Sequence, residues 1–456
     1  MLGQDRVLEI VSKAIGYSNA DQTQASVEIG ESSLTRFANS IIHQNVSERN
    51  AGIAVKAVIG KRLGYCSTNK LDDQAIKATV EKAVEFAKHS PENPDFVSLP
   101  EPITNHASAF AKATADKSLI THHESYDEQT ADYSPEDRAR DVAGMVAEAT
   151  KVGAQAAGSL STGYDEYAIA SSLGISAYNP STIANLTTVM TAETGFGYAD
   201  RVSQRVGDIH PIDAAVEAAT GSVRSKNPQS IEPGEYDVVM LPYAVWEFLG
   251  IMADVGLGAL AVQEGRSFMT GKFGEKVMGE NVTIWDDGLD PAGLPRPFDA
   301  EGIPKQRVDM IVNGVAKAVV YDSYTAKKEG KESTGHAISM ISAYGPMPTN
   351  MFMQPGDSSV EEMIASTKRG ILVTRFHYTN IIHPILVLIT GMTRDGTFLI
   401  EDGRVTRPLK NLRFTDGVIE RLSNVELISK ETKRQPYAVV PAIKVRGFRF
   451  TGATEF

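Results

Sequence analysis

The sequence predicts an α+β fold, in which an N-terminal α/β domain is followed by a mostly antiparallel β, barrel-like C-terminal domain. In the first half, segments with apolar residues at helical spacing alternate with segments in which every second residue is apolar. In the second half, turn dipeptides such as Asn313-Gly314 and Asp395-Gly396 separate β-branched runs, as in antiparallel hairpins. Prolines at 228 and 233 predict a boundary between domains 1–228 and 229–456.

Composition and charge narrow the class of protein. The chain has 456 residues, and its hydrophobic fraction of 42% and charged fraction of 22% are typical of a soluble globular protein. The formal net charge of −12 disfavours nonspecific binding to nucleic acid. A single cysteine, Cys66, excludes an internal disulfide and a multi-cysteine metal site. Residues 381–389, the longest apolar run, are about half of the roughly 20 residues that span a bilayer, and the N-terminus has no apolar signal core. We therefore expect a cytoplasmic protein with no membrane and no nucleic acid as partner.

The first domain combines helical and strand patterns. Helices are predicted at residues 6–18, 71–88, 134–150 and 211–223. Strands are predicted at residues 25–29, 41–48, 52–58 and 62–67, with two or three antiparallel strands within 158–195. The clearest signal is Ser134-Pro135-Glu136-Asp137, in which a serine cap precedes a proline at the first helical position and acids in the first turn.

The second domain begins with a strand at residues 236–241 and a central helix at 242–262. Pro242 suits the first helical turn, and the apolar residues that follow recur mostly at three- and four-residue steps. Asn313-Gly314 predicts a hairpin that joins 308–312 to 315–321, and Asp395-Gly396 one that joins 386–390 to 397–400. A further helix is predicted at 360–367.

Three groups that could carry chemistry have simpler interpretations. Gly256-x-Gly258-x-x-Ala261 is like a dinucleotide loop, but it lies inside the predicted helix, where a pyrophosphate could not meet a helix N-terminus. No Gly-x-Ser-x-Gly elbow is present, so a serine hydrolase is not predicted. An acidic group with the spacing of turns is interpreted as turns rather than as a hard-cation site. Its members are Asp286, Asp287, Asp290, Asp299 and Glu301.

Histidines give two candidate metal-binding groups. His122-His123-Glu124 lacks the third ligand at the His-Glu-x-x-His spacing, and we interpret it as part of a linker. His336, His377 and His383 lie in the β domain and would suit a metal ion if the fold brought them together. The sequence leaves open whether these three converge, and separate hydrogen-bonded histidines are the simpler interpretation.

Seven segments share their order and spacing with a known protein family. They are residues 42–49, 62–72, 267–276, 333–335, 348–350, 356–357 and 390–396, of which 267–276 reads Ser-Phe-Met-Thr-Gly-Lys-Phe-Gly-Glu-Lys. Together they resemble the TldD/PmbA family, also called modulators of DNA gyrase. The resemblance covers nearly the whole chain, and the order of the segments carries it rather than any single motif.

This resemblance implies a cytoplasmic zinc-dependent protease that acts on small or unfolded peptides in a cleft between two subunits. In the catalytic TldD branch, a helix carries His-Glu-x-x-x-His, and a cysteine near the C-terminus completes the zinc site. The matching positions here, residues 250–255, read Gly-Ile-Met-Ala-Asp-Val, and residues 429–441 contain no cysteine. The chain therefore resembles the TldE or PmbA branch, and we assign it no catalytic residue and no metal ligand.

The resemblance leads to a hypothesis of a non-catalytic subunit that helps to form the peptide-binding cleft, while a TldD-like catalytic subunit holds the zinc. A homodimer is the other assembly that we consider. The candidate substrate-binding residues are Thr334, Gly335, Asn350, Arg394 and Asp395. The alternative is a self-standing homodimeric metal-dependent hydrolase with a relocated site at His336, His377 and His383. A DNA-associated regulator is a third hypothesis, which the acidic net charge disfavours.

Overall fold

The computed structural model describes residues 1–102, 125–341 and 343–453. Within these residues the strands form one six-stranded and one eleven-stranded sheet. The first sheet ends at Ser203 and the second begins at Gly234, so the boundary at residue 228 lies between the two sheets and stays a prediction. No helix in the described part of the chain is both long and apolar enough to cross a bilayer.

The N-terminal sheet consists of six antiparallel strands. They are β1 (Gln22–Ala38), β2 (Ile41–Ile59), β3 (Arg62–Thr68), β4 (Gln155–Ser171), β5 (Ser176–Ala192) and β6 (Gly195–Ser203). Their order across the sheet is β3-β2-β1-β4-β5-β6, and every pairing is antiparallel. The strands predicted within residues 158–195 are confirmed as β4 and β5.

Strand β2 corrects the prediction of two separate strands at residues 41–48 and 52–58. The polar stretch between them stays in one strand because its backbone pairs with β1, where Arg49 lies opposite Glu31 and Asn50 lies opposite Gly30. The Arg49 guanidinium also donates to the Glu31 carboxylate at 2.6 Å. Both faces of this part of β2 are exposed, so its sequence lacks the alternation of apolar and polar residues that marks a half-buried strand. The sequence pattern therefore suggests two strands where the structure has one.

Helices cover one face of the N-terminal sheet. They are α1 (Gln4–Tyr17), α2 (Asp73–His89), α3 (Glu128–Ala131), α4 (Pro135–Lys151) and α5 (Pro211–Arg224). The predicted start of α4 is confirmed, because the Ser134 hydroxyl accepts the Asp137 N–H and the Asp137 carboxylate accepts the Ser134 N–H. Val27 and Ile53 are buried in one core cluster with α1 and α2, and Leu160 and Leu186 in another with α4 and α5.

The C-terminal sheet contains eleven strands within the described residues. They are β7 (Gly234–Met240), β8 (Ile284–Asp286), β9 (Val308–Val312), β10 (Val315–Ala316), β11 (Met351–Met353), β12 (Arg369–His383), β13 (Leu388–Glu401), β14 (Arg404–Pro408), β15 (Leu412–Gly417), β16 (Val425–Gln435) and β17 (Ala438–Ala453). Only the β11–β17 and β12–β7 pairings are parallel among them. Because β17 pairs with both β15 and β7, the strands β7, β12, β13, β15 and β17 close into a ring. The predicted mostly antiparallel, barrel-like domain is therefore confirmed.

The central helix predicted over residues 242–262 is wrong as one element. The structure has α6 (Pro242–Val255) and a separate α7 (Ala259–Gln263). Between them, Gly258 pairs with Val320, and a β-carbon at Gly258 would lie 2.1 Å from the Pro346 carbonyl oxygen. The helix ends before this point because the Leu257 carbonyl and the Ala259 N–H form hydrogen bonds with Val320 instead of with neighbouring helical turns. Further helices are α8 (Ser323–Lys328), α9 (Val360–Ala365) and α10 (Val418–Ser423).

One predicted hairpin is also wrong. Asp395 and Gly396 lie inside the continuous strand β13 rather than at a turn. Arg394 pairs with Arg375 and Thr397 pairs with Val373, so two residues of β13 oppose one residue of β12. Asp395 and Gly396 have φ values of 53° and 128°, and they form a β-bulge, which uses the same residue types as a hairpin turn. The other predicted hairpin, at Asn313-Gly314, is confirmed as β9–β10.

Candidate functional site

A cleft lies between the helix-free face of the N-terminal sheet and loops of the C-terminal half. Gln24, Lys56 and Tyr167 point from this face and donate to the backbone carbonyls of Glu301, Met340 and Ala300 at 3.1, 2.9 and 3.0 Å. These contacts hold two loops, residues 298–305 and 337–341, over the sheet. An apolar cluster that includes Ile169, Ile175, Phe298, Ile303 and Met340 seals the middle of the contact.

Several hollows remain around this contact, and three of them are lined by strands of the N-terminal sheet. A groove of about 800 Å³ runs over strands β1 and β2, and a cavity of about 410 Å³ lies beside Lys56 and α8. A third hollow, which we call the central cavity, has a volume of about 310 Å³. Glu28 and Asp165 line both the groove and the central cavity, so these two hollows adjoin at the two carboxylates.

Behind the central cavity lies a fully buried polar network centred on Asp286. One Asp286 oxygen bonds the His336 Nε2 atom at 2.8 Å, and the other accepts the Thr349 and Asn350 N–H groups at 2.7 Å each. The His336 Nδ1 atom lies 2.9 Å from the Thr334 hydroxyl. This pattern is satisfied when Nε2 carries the imidazole proton and Nδ1 accepts from Thr334. We call these groups the Asp286 network.

The electrostatics of the Asp286 network fix its protonation state. Burial opposes ionisation of Asp286, but the hydrogen bond from His336 and the backbone N–H groups hold its pKa at about 2. Burial and the nearby Lys305 ammonium lower the pKa of His336. The contact with Asp286 opposes this shift of the His336 pKa, and the same contact stabilises the Asp286 carboxylate. His336 is fully buried and therefore cannot touch a ligand; it links the segments around Thr334 and Met347 to Asp286.

Three of the predicted substrate-binding residues, Thr334, Gly335 and Asn350, belong to this neighbourhood. Thr334 is hydrogen-bonded to His336, and the Asn350 side chain donates to the carbonyls of Asp287 and Asp290. Gly335 has a φ of 73°, and a β-carbon there would lie 2.3 Å from the Pro304 carbonyl oxygen. These three residues do not line the central cavity, whereas their neighbours Ala337 and Thr349 do.

The other two predicted residues, Arg394 and Asp395, belong to a different contact network on β13. Asp395 is buried and accepts the Arg375 Nε at 2.7 Å, and the Arg375 guanidinium stacks over the Tyr198 ring at 4.2 Å. The Arg394 side chain is 42% exposed. The structure therefore splits the predicted set into two groups, and the role of either group in substrate binding stays a prediction.

The central cavity carries ionisable groups on both walls. Glu28 and Asp165 come from the sheet, and Arg296, Asp299 and Lys305 come from the C-terminal loops. Burial and the neighbouring Glu301 raise the pKa of Asp299 to about 7, although three backbone N–H groups favour its charged form. Burial lowers the pKa of Lys305, whose ammonium donates to the Thr349 hydroxyl at 2.8 Å.

The three candidate histidines do not form a metal site. No group of three or more histidine, cysteine, aspartate or glutamate side chains in the described ranges could hold a metal ion. His336 is enclosed in the Asp286 network, whereas His383 is exposed near the turn that follows β12 and accepts the Leu386 N–H. The relocated site at His336, His377 and His383 is therefore wrong. His122-His123-Glu124 lies outside the described residues.

The donor set on α6 also does not fit zinc. Zinc in proteins is held by imidazole, thiolate and carboxylate groups. Residues 250–255 of α6 offer only the exposed Asp254, and Met252, Ala253 and Val255 are buried in the core. In strand β16, which lies in the region where the resemblance places a cysteine, no thiol is present.

Sequence reasoning missed Glu28, Asp165 and Lys305. A signal for Glu28 was available, because it alternates with Ala25, Val27 and Ile29 and must point away from the helix-covered face. Asp165 lies on the neighbouring strand β4, opposite Gly30 of β1. The register between these two strands, which are distant in the chain, does not follow from a single sequence.

Comparison with known proteins gives two domain matches. A sequence model described as the PmbA/TldA metallopeptidase C-terminal domain matches residues 233–452. A model described as PmbA/TldA metallopeptidase domain 1 matches residues 24–87. The two matches contain nearly all of the C-terminal sheet, the cleft loops and strands β1 to β3, whereas β4 to β6 of the N-terminal sheet lie outside them.

The individual relatives have low sequence identity to this chain, and the length of the alignment differs among them. A metalloprotease TldD homologue from Haemophilus influenzae is 24% identical over 92% of this chain and 87% of that protein. A metalloprotease from Methanothermobacter thermautotrophicus is 29% identical over 47% of this chain, and this alignment covers only 46% of that protein. The crystal structure of TldE from Thermococcus kodakarensis superposes with a TM-score of 0.83 at 21% identity, covering 97% of this chain and 99% of that one. At that identity the structural match supports the fold alone.

Proposed function

Because this chain belongs to the PmbA/TldD metallopeptidase family, we propose that it is the non-catalytic subunit of a metallopeptidase that processes small or unfolded peptides. One observation carries the choice of a non-catalytic role. Helix α6 occupies the place that the resemblance gives to the zinc-binding helix, yet it contains no histidine from Pro242 to Val255. A TldD-like partner would therefore supply the metal and the catalytic groups.

The contribution of this chain is a wall of the peptide-binding cleft. The hollows on the helix-free face of the N-terminal sheet supply polar surface for a peptide. Beside the groove, β3 pairs only with residues 53–59 of β2, and no described strand pairs with residues 41–52 on that side. Such an uncovered edge can accept an extended peptide through main-chain hydrogen bonds, which need no particular peptide sequence.

An exposed apolar tip supports association with a partner. The end of the β12–β13 hairpin exposes Tyr378, Ile382 and Leu386 to 73%, 52% and 61%. Clustered exposed apolar side chains of this size are typical of protein interfaces. We propose that this tip contacts the TldD-like subunit in the cytoplasm, and that a homodimer forms through it when that subunit is absent.

The test is reconstitution with the TldD-type homologue encoded in the same genome. We expect a stable complex in size-exclusion chromatography with light scattering, and cleavage of an unfolded peptide only when zinc and both chains are present. The variant Ile382→Asp/Leu386→Asp should weaken association at least about tenfold, because it charges an apolar contact. Phe86→Asp, an equally exposed apolar position on α2, is the matched control and should associate normally.

Two results would contradict the proposal. A chain that stays monomeric beside the partner, with cleavage unchanged by its presence, would exclude a shared peptidase. Stoichiometric zinc in this chain after purification without a metal-binding tag would favour an enzyme in its own right. No observation in the described residues favours that alternative, since its three histidines are not grouped.

A further inference from the structure

We propose that the central cavity binds both free ends of a short peptide, with the terminal ammonium group at Glu28 and Asp165 and the terminal carboxylate at Lys305. This inference deepens the proposed function and rests on it for the choice of a peptide. It assigns a ligand class to residues of this chain, independently of the zinc in the partner.

The sheet wall of the cavity presents two carboxylates, Glu28 and Asp165, and the Arg296 guanidinium acts on Asp165 only from beyond salt-bridge distance. The Asp165 side chain lies across Gly30, where a β-carbon would be 2.1 Å from Oδ1, so the absent side chain of Gly30 makes the room. Glu28 stands two residues before Gly30 on the same face of β1. Among the residues that the structure describes, neither carboxylate forms a side-chain hydrogen bond or a salt bridge within 4.0 Å. Burial and the charge of Glu28 raise the pKa of Asp165, so a bound cation would relieve a real repulsion.

The opposite wall presents a buried cation with donors to spare. Lys305 is only 6% exposed, and Thr349 accepts one of the three hydrogen bonds that a lysine ammonium can donate. The carboxylates nearest to Lys305 are already engaged: Asp286 by His336 and two N–H groups, and Asp299 by three N–H groups. Arg296 stands exposed beside the cavity, and its positive charge acts on both Lys305 and Asp165.

The combination of the two walls selects the ligand. A simple anion would use only the Lys305 wall, and a simple cation only the Glu28 and Asp165 wall. A molecule with an ammonium group at one end and a carboxylate at the other satisfies both. The volume of about 310 Å³ is at the lower end of small-molecule sites, which suits a dipeptide or tripeptide rather than a long chain.

The test is calorimetric titration of the full chain with alanyl-alanine, its N-acetyl derivative and its C-terminal amide. We expect the unmodified dipeptide to bind, and each cap to weaken binding at least about tenfold, because each removes a charge-assisted hydrogen bond. Equal affinity for all three compounds would overturn the proposal. Absence of binding by all three at millimolar concentration would overturn it as well.

Variants locate the two ends of the peptide. Asp165→Asn should weaken binding of alanyl-alanine about tenfold while leaving the already weak binding of the N-acetyl derivative unchanged, since that derivative has no ammonium group. Lys305→Met should weaken binding of alanyl-alanine about tenfold and leave the weak binding of the C-terminal amide unchanged, since the amide has no terminal carboxylate. Because Lys305 is buried, Arg296→Gln at the exposed rim is the second variant for this end, with a smaller loss expected. Glu81→Gln, an exposed glutamate on α2 away from the cavity and from the β2 edge, is the control and should bind normally.

The results separate this inference from the proposed function. If the dipeptide fails to bind but the chain still forms an active complex with the TldD-type subunit, the cavity assignment is wrong and the function stands. If the dipeptide binds with the expected dependence on its ends but no complex forms, the cavity assignment stands and the function is wrong.

Discussion

Two polar regions of this molecule lie back to back and differ in how their charges are satisfied. In the Asp286 network, the carboxylate receives three hydrogen bonds, and the histidine beside it uses both ring nitrogens. In the central cavity, the Asp165 and Glu28 carboxylates and Lys305 line the same hollow, and no hydrogen bond joins them in the described residues. Lys305 neighbours both regions, yet its described hydrogen bond goes to Thr349 alone.

Whether the hydrogen-bonding capacity of a buried polar group is fully used distinguishes a structural group from a ligand-binding one. A buried group whose donors and acceptors are all used has nothing left to offer a ligand, and its removal leaves its partners unsatisfied. A polar group that lies in a cavity with unused hydrogen-bonding capacity lowers the stability of the free protein. A ligand that hydrogen-bonds to this group restores that stability when it binds. The Asp286 network is therefore expected to govern folding, and the central cavity to govern binding.

The largest effect on stability is expected for Asp286→Ala. This change leaves the His336 Nε2–H and two backbone N–H groups buried without an acceptor, which we expect to cost roughly 3 kcal/mol or more in the free energy of unfolding. Urea denaturation measures it. Asp309→Ala, an exposed aspartate on β9, is the control and should cost less than about 1 kcal/mol. Equal losses in the two variants would mean that the network does not hold the loops.

A smaller effect is expected for Gly335→Ala. The left-handed backbone and the Pro304 carbonyl both oppose a β-carbon here, and we expect a loss of about 2 kcal/mol in urea denaturation. Gly330→Ala has a similar φ of 65° with no atom within 4 Å, and it should lose only about 1 kcal/mol. If Gly335→Ala instead retains full stability but binds peptide less well, Gly335 belongs with the central cavity rather than with the Asp286 network.

The third effect, the smallest of the three when taken per pH unit, is a dependence of stability on pH that contrasts Asp299 with Asp286. The pKa of Asp299 is raised to about 7, so its protonated form favours the fold; this contribution is complete below about pH 4 and is lost as the pH rises to 7. The slope from one such group is at most about 1.4 kcal/mol per pH unit. The pKa of Asp286 is lowered to about 2, so its contribution is constant in this range and is lost only in stronger acid.

The variant Asp299→Asn tests this contrast. Urea denaturation between pH 4.5 and 7.5 should show a flatter profile for Asp299→Asn than for the unmodified chain. An identical profile would mean that Asp299 is ionised throughout, held by its three backbone N–H donors, and that it belongs with the satisfied network.

The sequence predicts those elements whose signals are local. The Ser134 cap, the amphipathic helices and the Asn313-Gly314 turn all depend on residues within a few positions of each other, and all are confirmed. The Asp395-Gly396 bulge was misread because a bulge and a turn need the same left-handed backbone. Only the pairing of β13 with β12 on both sides of the bulge distinguishes them, and that pairing is not local.

The candidate site depends still more on distant contacts. Thr334, Gly335 and Asn350 come from the family resemblance, which points to these loops but does not distinguish a residue that supports the cleft wall from one that lines it. Asp286 and His336 are 50 residues apart, and their contact is absent from any local pattern. The prediction of one continuous helix over residues 242–262 is wrong for the same reason, since the interruption at Gly258 depends on contacts with the distant residues Val320 and Pro346.

The closure of the C-terminal ring by β7 and β17 has a consequence for synthesis of the protein on the ribosome. The partner residues of β7 in β17 are translated roughly 200 residues later, which corresponds to about 10 to 40 s of elongation. The six strands of the N-terminal sheet all lie before residue 204, so that sheet can form during this delay. Until β17 emerges, the edges of β7 and β15 are without a partner strand, and we expect nascent chains to need protection from aggregation during this interval.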